Sequence, residues 1–122
     1  ALGNVMVPRG LNHVSGKEAR TRARKLLESV GLPKTIERQF PKMMSGGEQQ
    51  RVAIARALAS EAPLILADEP TGNLDTENSN HIVDILQSLA HEQGRCVVII
   101  THDMSVAGRA DIVLRLVDGQ LV

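Results

Sequence analysis

Two short apolar runs constrain this chain more than any other feature. Leu64 to Ala67 closes on Asp68 and Glu69, and Arg95 to Ile100 stops at Thr101, His102 and Asp103. Each run is too short for a stable helix, and Pro70 ends the first, so both read as buried strands. Between them Ile82, Ile85, Leu86 and Leu89 recur on one face of a helix that starts at Asp75 or Thr76 and is ended by Gly94. Strand, helix, strand in that order is a parallel crossover unit, which puts the C-terminal ends of both strands on one edge of the sheet. Asp68, Glu69 and His102 are therefore expected to gather at that edge, in an α/β fold.

The flanking segments follow local signals. Residues 1 to 16, with Gly3, Pro8, Gly10 and Gly16, show no sustained period and read as a connecting segment. Ser15 and Glu18 have capping-box spacing, and Ala19, Ala23, Leu26, Leu27 and Val30 recur on one face before Gly31, which predicts an amphipathic helix. Its other face carries Lys17, Arg20, Arg22, Arg24 and Lys25, read as a solvated face. Pro33 and Pro41 bracket a loop. A second helix runs from Ser45 to about Ser60, with Glu48 three residues into a second capping box. Asp118-Gly119, between Ile112 to Leu116 and Gln120 to Val122, signals a hairpin.

Composition narrows the function. With 122 residues the chain is one compact unit or a piece of a larger one. Fourteen Lys plus Arg balance fourteen Asp plus Glu, so no global basic field exists to hold nucleic acid or an anionic membrane. Aromatics reduce to Phe40, which leaves almost nothing for a base-stacking surface. No apolar run approaches the ~20 residues needed to cross a bilayer. Cys96 is the single cysteine, which excludes an intrachain disulfide and any CxxC metal framework, and fits a reducing compartment.

Three features carry chemistry, each beside a plainer reading. Asp68 and Glu69 are adjacent carboxylates at a strand end, so one can hold a hydrated cation while the other orients water; taken alone, the pair is explained more simply by a charged turn after a strand. In MSGGE, Met44 to Glu48, two glycines follow a hydroxyl at a helix start, where unpaired amides and the helix dipole form an anion site. A well-capped helix gives the same pattern. His102 stands alone after an apolar strand, where a single histidine is more often a structural side chain than a functional one. Together a phosphate cradle, a metal-holding Asp, a neighbouring Glu and a strand-end His are parts needed for nucleotide hydrolysis.

The stretch MSGGEQQRVAIARALASEAPLILADEPTGNLDT, followed by VVIITHD, resembles the ATP-binding cassette (ABC) transporter ATPases in four ordered motifs. The DEPTGNLD wording is most similar to the lipoprotein-releasing and macrolide-export subgroup. The resemblance implies part of a helical subdomain in residues 1–60. Residues 61–122 then form the C-terminal part of a RecA-like, P-loop NTPase parallel-sheet core. It implies that Asp68 holds Mg2+ through water and that Glu69 polarises the attacking water. His102 matches the switch histidine at the γ-phosphate of ATP. Ser45, Gly46 and Gly47, with Glu48 where Gln is usual and Met44 where Leu is usual, match the signature segment that contacts nucleotide held by the opposite subunit. Asp75 matches the D-loop aspartate at the dimer interface. The implied partners are a second ATPase subunit, head to tail, and a transmembrane permease, with no nucleic acid. The implied location is cytoplasmic, on the inner face of the membrane.

One part is not found. A P-loop reads GxxxxGK[ST] between a strand and a helix. GLNHVSGKE, Gly10 to Glu18, has one residue too many between its glycines and ends on Glu18 in place of a hydroxyl. NVMVP, near the start, resembles the region just beyond the family's Q-loop. The expectation is therefore the C-terminal half of a cassette, with Walker A and the Q-loop before Ala1 and the P-loop strand missing from mid-sheet, inactive by itself and marginal or sticky. Two rivals are a non-catalytic remnant or interaction module, and the C-terminal half of a chromosome-maintenance or DNA-repair cassette ATPase. The second should show heptads before the signature, and residues 1 to 43 show none.

Overall fold

The structure, a computed structural model, describes residues 16–122. The connecting segment at 1 to 15, the Ser15 cap and most of the rejected GLNHVSGKE stretch lie outside the described residues.

Helix α1, Gly16–Ser29, buries Ala19, Ala23 and Leu27, with Val30 just beyond its end, which is the stripe expected from the sequence. The bracketed loop is more ordered than its prolines suggest, since it holds two short 3-10 turns at Lys34–Arg38 and Pro41–Met43. The first turn drives Ile36 fully into the core. Helix α2, Gly46–Ala59, packs its Val52, Ile54, Ala55, Leu58 and Ala59 into the same cluster. An ion pair between Arg24 Nε and Glu37 Oε2 at 3.1 Å ties α1 to the loop.

Strand β1, Leu64–Asp68, and strand β2, Cys96–Ile100, pair in parallel, with Leu64 opposite Cys96 and Asp68 opposite Ile100. Helix α3, Thr76–His91, is the crossover and buries Ile82, Val83, Leu86 and Leu89. The short helix α4, Met104–Ala107, follows β2 and seats Val106. One hydrophobic cluster runs from Ala23 to Leu89 through α1, α2, β1 and α3.

The strands are not buried on both sides as expected. Ile65 is 6% exposed, while its neighbour Leu66 is 70% exposed and Ile100 is 59% exposed. Side chains alternate across a strand, and α3 covers one face of the sheet, so the other set is left exposed among the described residues. The continuous apolar run promised two covered faces; among the described residues one is covered.

The hairpin is also shorter than expected. Strands β3, Leu116–Val117, and β4, Gln120–Leu121, pair antiparallel, and 112 to 115 are not strand. Asp118 and Gly119 both have positive φ, 49° and 77°, the geometry of a two-residue primed turn. The hairpin forms its own sheet and does not extend β1–β2; beyond its two strand pairs only the Arg115 carbonyl is tied across it, accepting the Val122 amide at 2.9 Å, among the described residues.

Candidate functional site

Parallel pairing brings the two strand ends level. Asp68 is the last residue of β1, and the Glu69 amide still donates to the Ile100 carbonyl, at 2.7 Å, as the final rung. At Glu69 the chain turns with φ of 46°, a left-handed conformation that costs a non-glycine residue roughly 1–2 kcal/mol.

Glu69 reaches across to the end of β2. Its Oε1 lies 2.6 Å from His102 Nδ1 and accepts the His102 backbone N–H at 3.1 Å. The Thr101 hydroxyl donates to Oε2 at 3.3 Å. The His102 hydrogen bond, opposed in part by desolvation, holds the Glu69 carboxyl below the usual carboxylate range. Because an ionised carboxylate only accepts, Nδ1 must carry the proton, which leaves Nε2 of the exposed His102 ring as its second polar atom. Asp68 is exposed and its carboxylate has no hydrogen-bond or ion-pair partner among the described residues. The expected gathering of Asp68, Glu69 and His102 at one sheet edge is thus what the structure contains.

The second group lies at two adjacent helix starts. Ser45 caps α2: its Oγ accepts from the Glu48 amide at 3.2 Å, and the Glu48 carboxylate accepts from the Ser45 amide at 3.1 Å. Capping consumes those two amides and leaves the N–H groups of Gly46 and Gly47 as the first-turn donors. Asp75 caps α3, its Oδ1 accepting from the Asn78 side chain at 2.6 Å and from the Asn78 amide at 3.3 Å. The two glycines differ in situation. Gly46 is exposed beside Leu74, whereas Gly47 is buried where a Cβ would meet Asn78 Oδ1 at 2.6 Å, so helix contact already accounts for Gly47.

Residues not singled out in the sequence join these groups. The Gln50 side-chain amide donates to the Pro70 carbonyl at 2.7 Å, linking α2 to the turn after Glu69. Arg51 Nη2 meets His81 Nδ1 at 2.8 Å, between α2 and α3. Thr101 both touches Glu69 and accepts from the Asp103 amide at 3.0 Å. Polar residues on a helix or at a strand end carry no signal for partners some 20 or 30 residues away. No group of three or more His, Cys, Asp or Glu side chains among the described residues could hold a metal ion unaided.

A parallel α/β edge bearing a paired carboxylate and imidazole, beside two capped helix starts, is an arrangement able to act on a phosphate-bearing ligand. Comparison with known proteins makes that specific. Residues 4–72 match the family described as ABC transporter, and the chain belongs to that family of ATPases. It is 48% identical over 121 residues to the uncharacterized ABC transporter ATP-binding protein YbbA of Escherichia coli, spanning 99% of this chain and 53% of that protein. It is 52% identical, with the same coverage, to the lipoprotein-releasing system ATP-binding protein LolD 2 of Caulobacter vibrioides. Against the macrolide export ATP-binding/permease protein MacB 2 of Yersinia pestis it is 46% identical over 100% of this chain and 18% of that protein. The structure superposes with a TM-score of 0.87 on the cassette MJ0796, solved as a dimer in a post-hydrolysis state with ADP and Pi. That match has 41% identity and covers 98% of this chain and 53% of the cassette. The chain therefore spans about half the length of YbbA, LolD 2 and the solved cassette.

Proposed function

We propose that this chain supplies the signature and water-activating portions of an ATP-hydrolysing subunit of an ABC transporter. Residues 1–60 belong to the helical subdomain and residues 61–122 to the ATPase core. The observation that carries the reading is the contact of Glu69 with His102 at the edge where β1 and β2 end. A P-loop has to come from polypeptide outside the 122 residues, which contain no GxxxxGK[ST]. By themselves they should not turn over ATP.

The chain's own residues divide the work. Glu69, kept ionised by His102, is the base that orients the attacking water and accepts its proton. His102, giving Nδ1–H to Glu69, keeps Nε2 for the γ-phosphate. Thr101 steadies the second carboxylate oxygen. An exposed Asp68 without a partner among the described residues suits a hard cation that fills most of its shell with water and phosphate oxygens, so Asp68 would hold Mg2+. When bound, Mg2+ neutralises charge on the β and γ phosphates. The amides of Gly46 and Gly47, with Ser45 and Glu48 shaping the helix start, face nucleotide on a second ATPase subunit, and Asp75 lies at that head-to-tail interface. The dimeric solved cassette, a bacterial ABC transporter cassette, supports the pairing. The fused ATP-binding/permease relative supports a transmembrane permease as the other partner. No helix among the described residues is long and apolar enough to cross a membrane; attachment to the inner face of the membrane would go through the permease.

Glu69→Gln in the complete cassette tests the reading. Loss of the base should lower turnover about 100-fold or more while MgATP still binds, because a neutral amide cannot take a proton. Turnover at the wild-type rate removes Glu69 from this role.

A further inference from the structure

We infer that Gln50 is a positioning residue for Glu69, tying the signature-bearing helix to the water-activating edge of its own subunit. The inference rests on the reading of the site given above. Glu69 sits in a backbone conformation that side-chain-bearing residues rarely adopt, at φ 46°. Something outside the residue must keep it there. The turn that follows closes through the Gly72 amide, which donates to the Glu69 carbonyl at 3.0 Å. Next along, the Leu74 amide donates to the Thr71 carbonyl at 3.2 Å.

Between those two carbonyls lies that of Pro70, a buried residue with no N–H of its own. The carbonyl accepts the Gln50 side-chain N–H at 2.7 Å. Gln50 is half-buried on the second turn of α2, just past the Ser45–Glu48 box. An acceptor left unpaired in such a place is costly, so the bond fixes the plane of the Pro70–Thr71 peptide. Through one rotatable residue that plane sets the backbone of Glu69. From there the carboxylate reaches His102 Nδ1 at 2.6 Å and Thr101 Oγ1 at 3.3 Å.

The same tie runs in the other direction. Gly46 lies against Leu74 and Gly47 against Asn78, so the first two turns of α2 ride on residues 70 to 78. A shift of Glu69 on one nucleotide is thereby delivered to the segment that faces the other.

Isosteric substitution separates the hydrogen bond from packing. Gln50→Glu keeps the volume, removes the donor and sets a carboxylate against a carbonyl; Gln50→Lys keeps a donor. In the complete cassette Gln50→Glu should lower kcat about 10-fold or more with KM for MgATP nearly unchanged, because misaiming a reactive group affects the chemical step. Gln50→Lys should restore most of the loss. In nucleotide-free protein, Gln50→Glu should also speed hydrogen exchange at the Gly72 and Leu74 amides, a readout independent of activity. Unchanged kcat, a rise confined to KM, or failure of Gln50→Lys to rescue overturns the inference, as does equal exchange at those amides. A wild-type cassette without turnover, or one indifferent to Glu69→Gln, overturns the functional reading instead, and the exchange experiment then decides the Gln50 tie alone.

Discussion

Glu69 shows how one residue's environment becomes a pH dependence. His102 lowers its carboxyl pKa in the folded chain. A depressed carboxylate pKa stabilises the fold fully above the unfolded value, about 4.3 for glutamate, and the contribution is lost as pH falls through the lower folded value. Carbon-detected NMR titration should place the Glu69 midpoint below that of an exposed glutamate, and His102→Ala should move it back up; a midpoint that ignores the substitution would refute the assigned cause. Gly47 makes a second residue-scale case. Alanine there gains up to roughly 1 kcal/mol of helix preference, yet its Cβ would lie 2.6 Å from Asn78 Oδ1. Asn78 cannot swing away without breaking its 2.6 Å bond to Asp75. Overpacking costs about 1–3 kcal/mol, so Gly47→Ala should destabilise by about 1 kcal/mol in urea unfolding. In an Asn78→Ala background the same change should be neutral or stabilising.

Elements built from local chemistry were legible in the sequence. The Ser45–Glu48 capping box forms as its spacing requires, Asp75 caps α3, and Asp118-Gly119 makes the hairpin turn. Ser45→Ala should cost the fold about 1 kcal/mol, and Ser45→Asp should recover most of it, measured by the urea midpoint. Equal stability of all three would mean that the Glu48 amide finds water without loss. The parallel pairing of β1 and β2 was legible too, because chain handedness leaves little choice once the crossover helix is recognised. Burial was less legible. Leu64 to Ala67 reads as buried on both faces, but how many faces are covered depends on layers that so short a run does not encode. The candidate site divides the same way. Asp68, Glu69 and His102 follow from where strands end, whereas the Gln50–Pro70 and Thr101–Glu69 bonds depend on side-chain reach across 20 and 32 positions.

At the scale of the whole molecule, the described fold carries a one-sided sheet. Leu64, Leu66, Val98 and Ile100 line its bare face, and each strand has one edge without a partner among the described residues. Beyond them Ile112, Val113, Leu114 and Leu116 are exposed as well. Each fully buried aliphatic side chain contributes ~1.5–3 kcal/mol, so these residues withhold much of what such a core would gain. Contiguous apolar surface next to open strand edges favours association between copies. A formal charge of zero supplies no net repulsion to oppose it. The 122-residue chain should therefore self-associate with rising concentration in sedimentation velocity, and salt should weaken this little, because the contact is apolar. Leu66→Lys with Ile100→Lys puts two like charges on that face without touching the α3 side, where Ile65 stays covered. The double variant should shift the distribution toward monomer. A wild-type chain that stays monomeric and unfolds reversibly with high stability would show that the bare face is tolerated and that sheet coverage does not govern its solution behaviour.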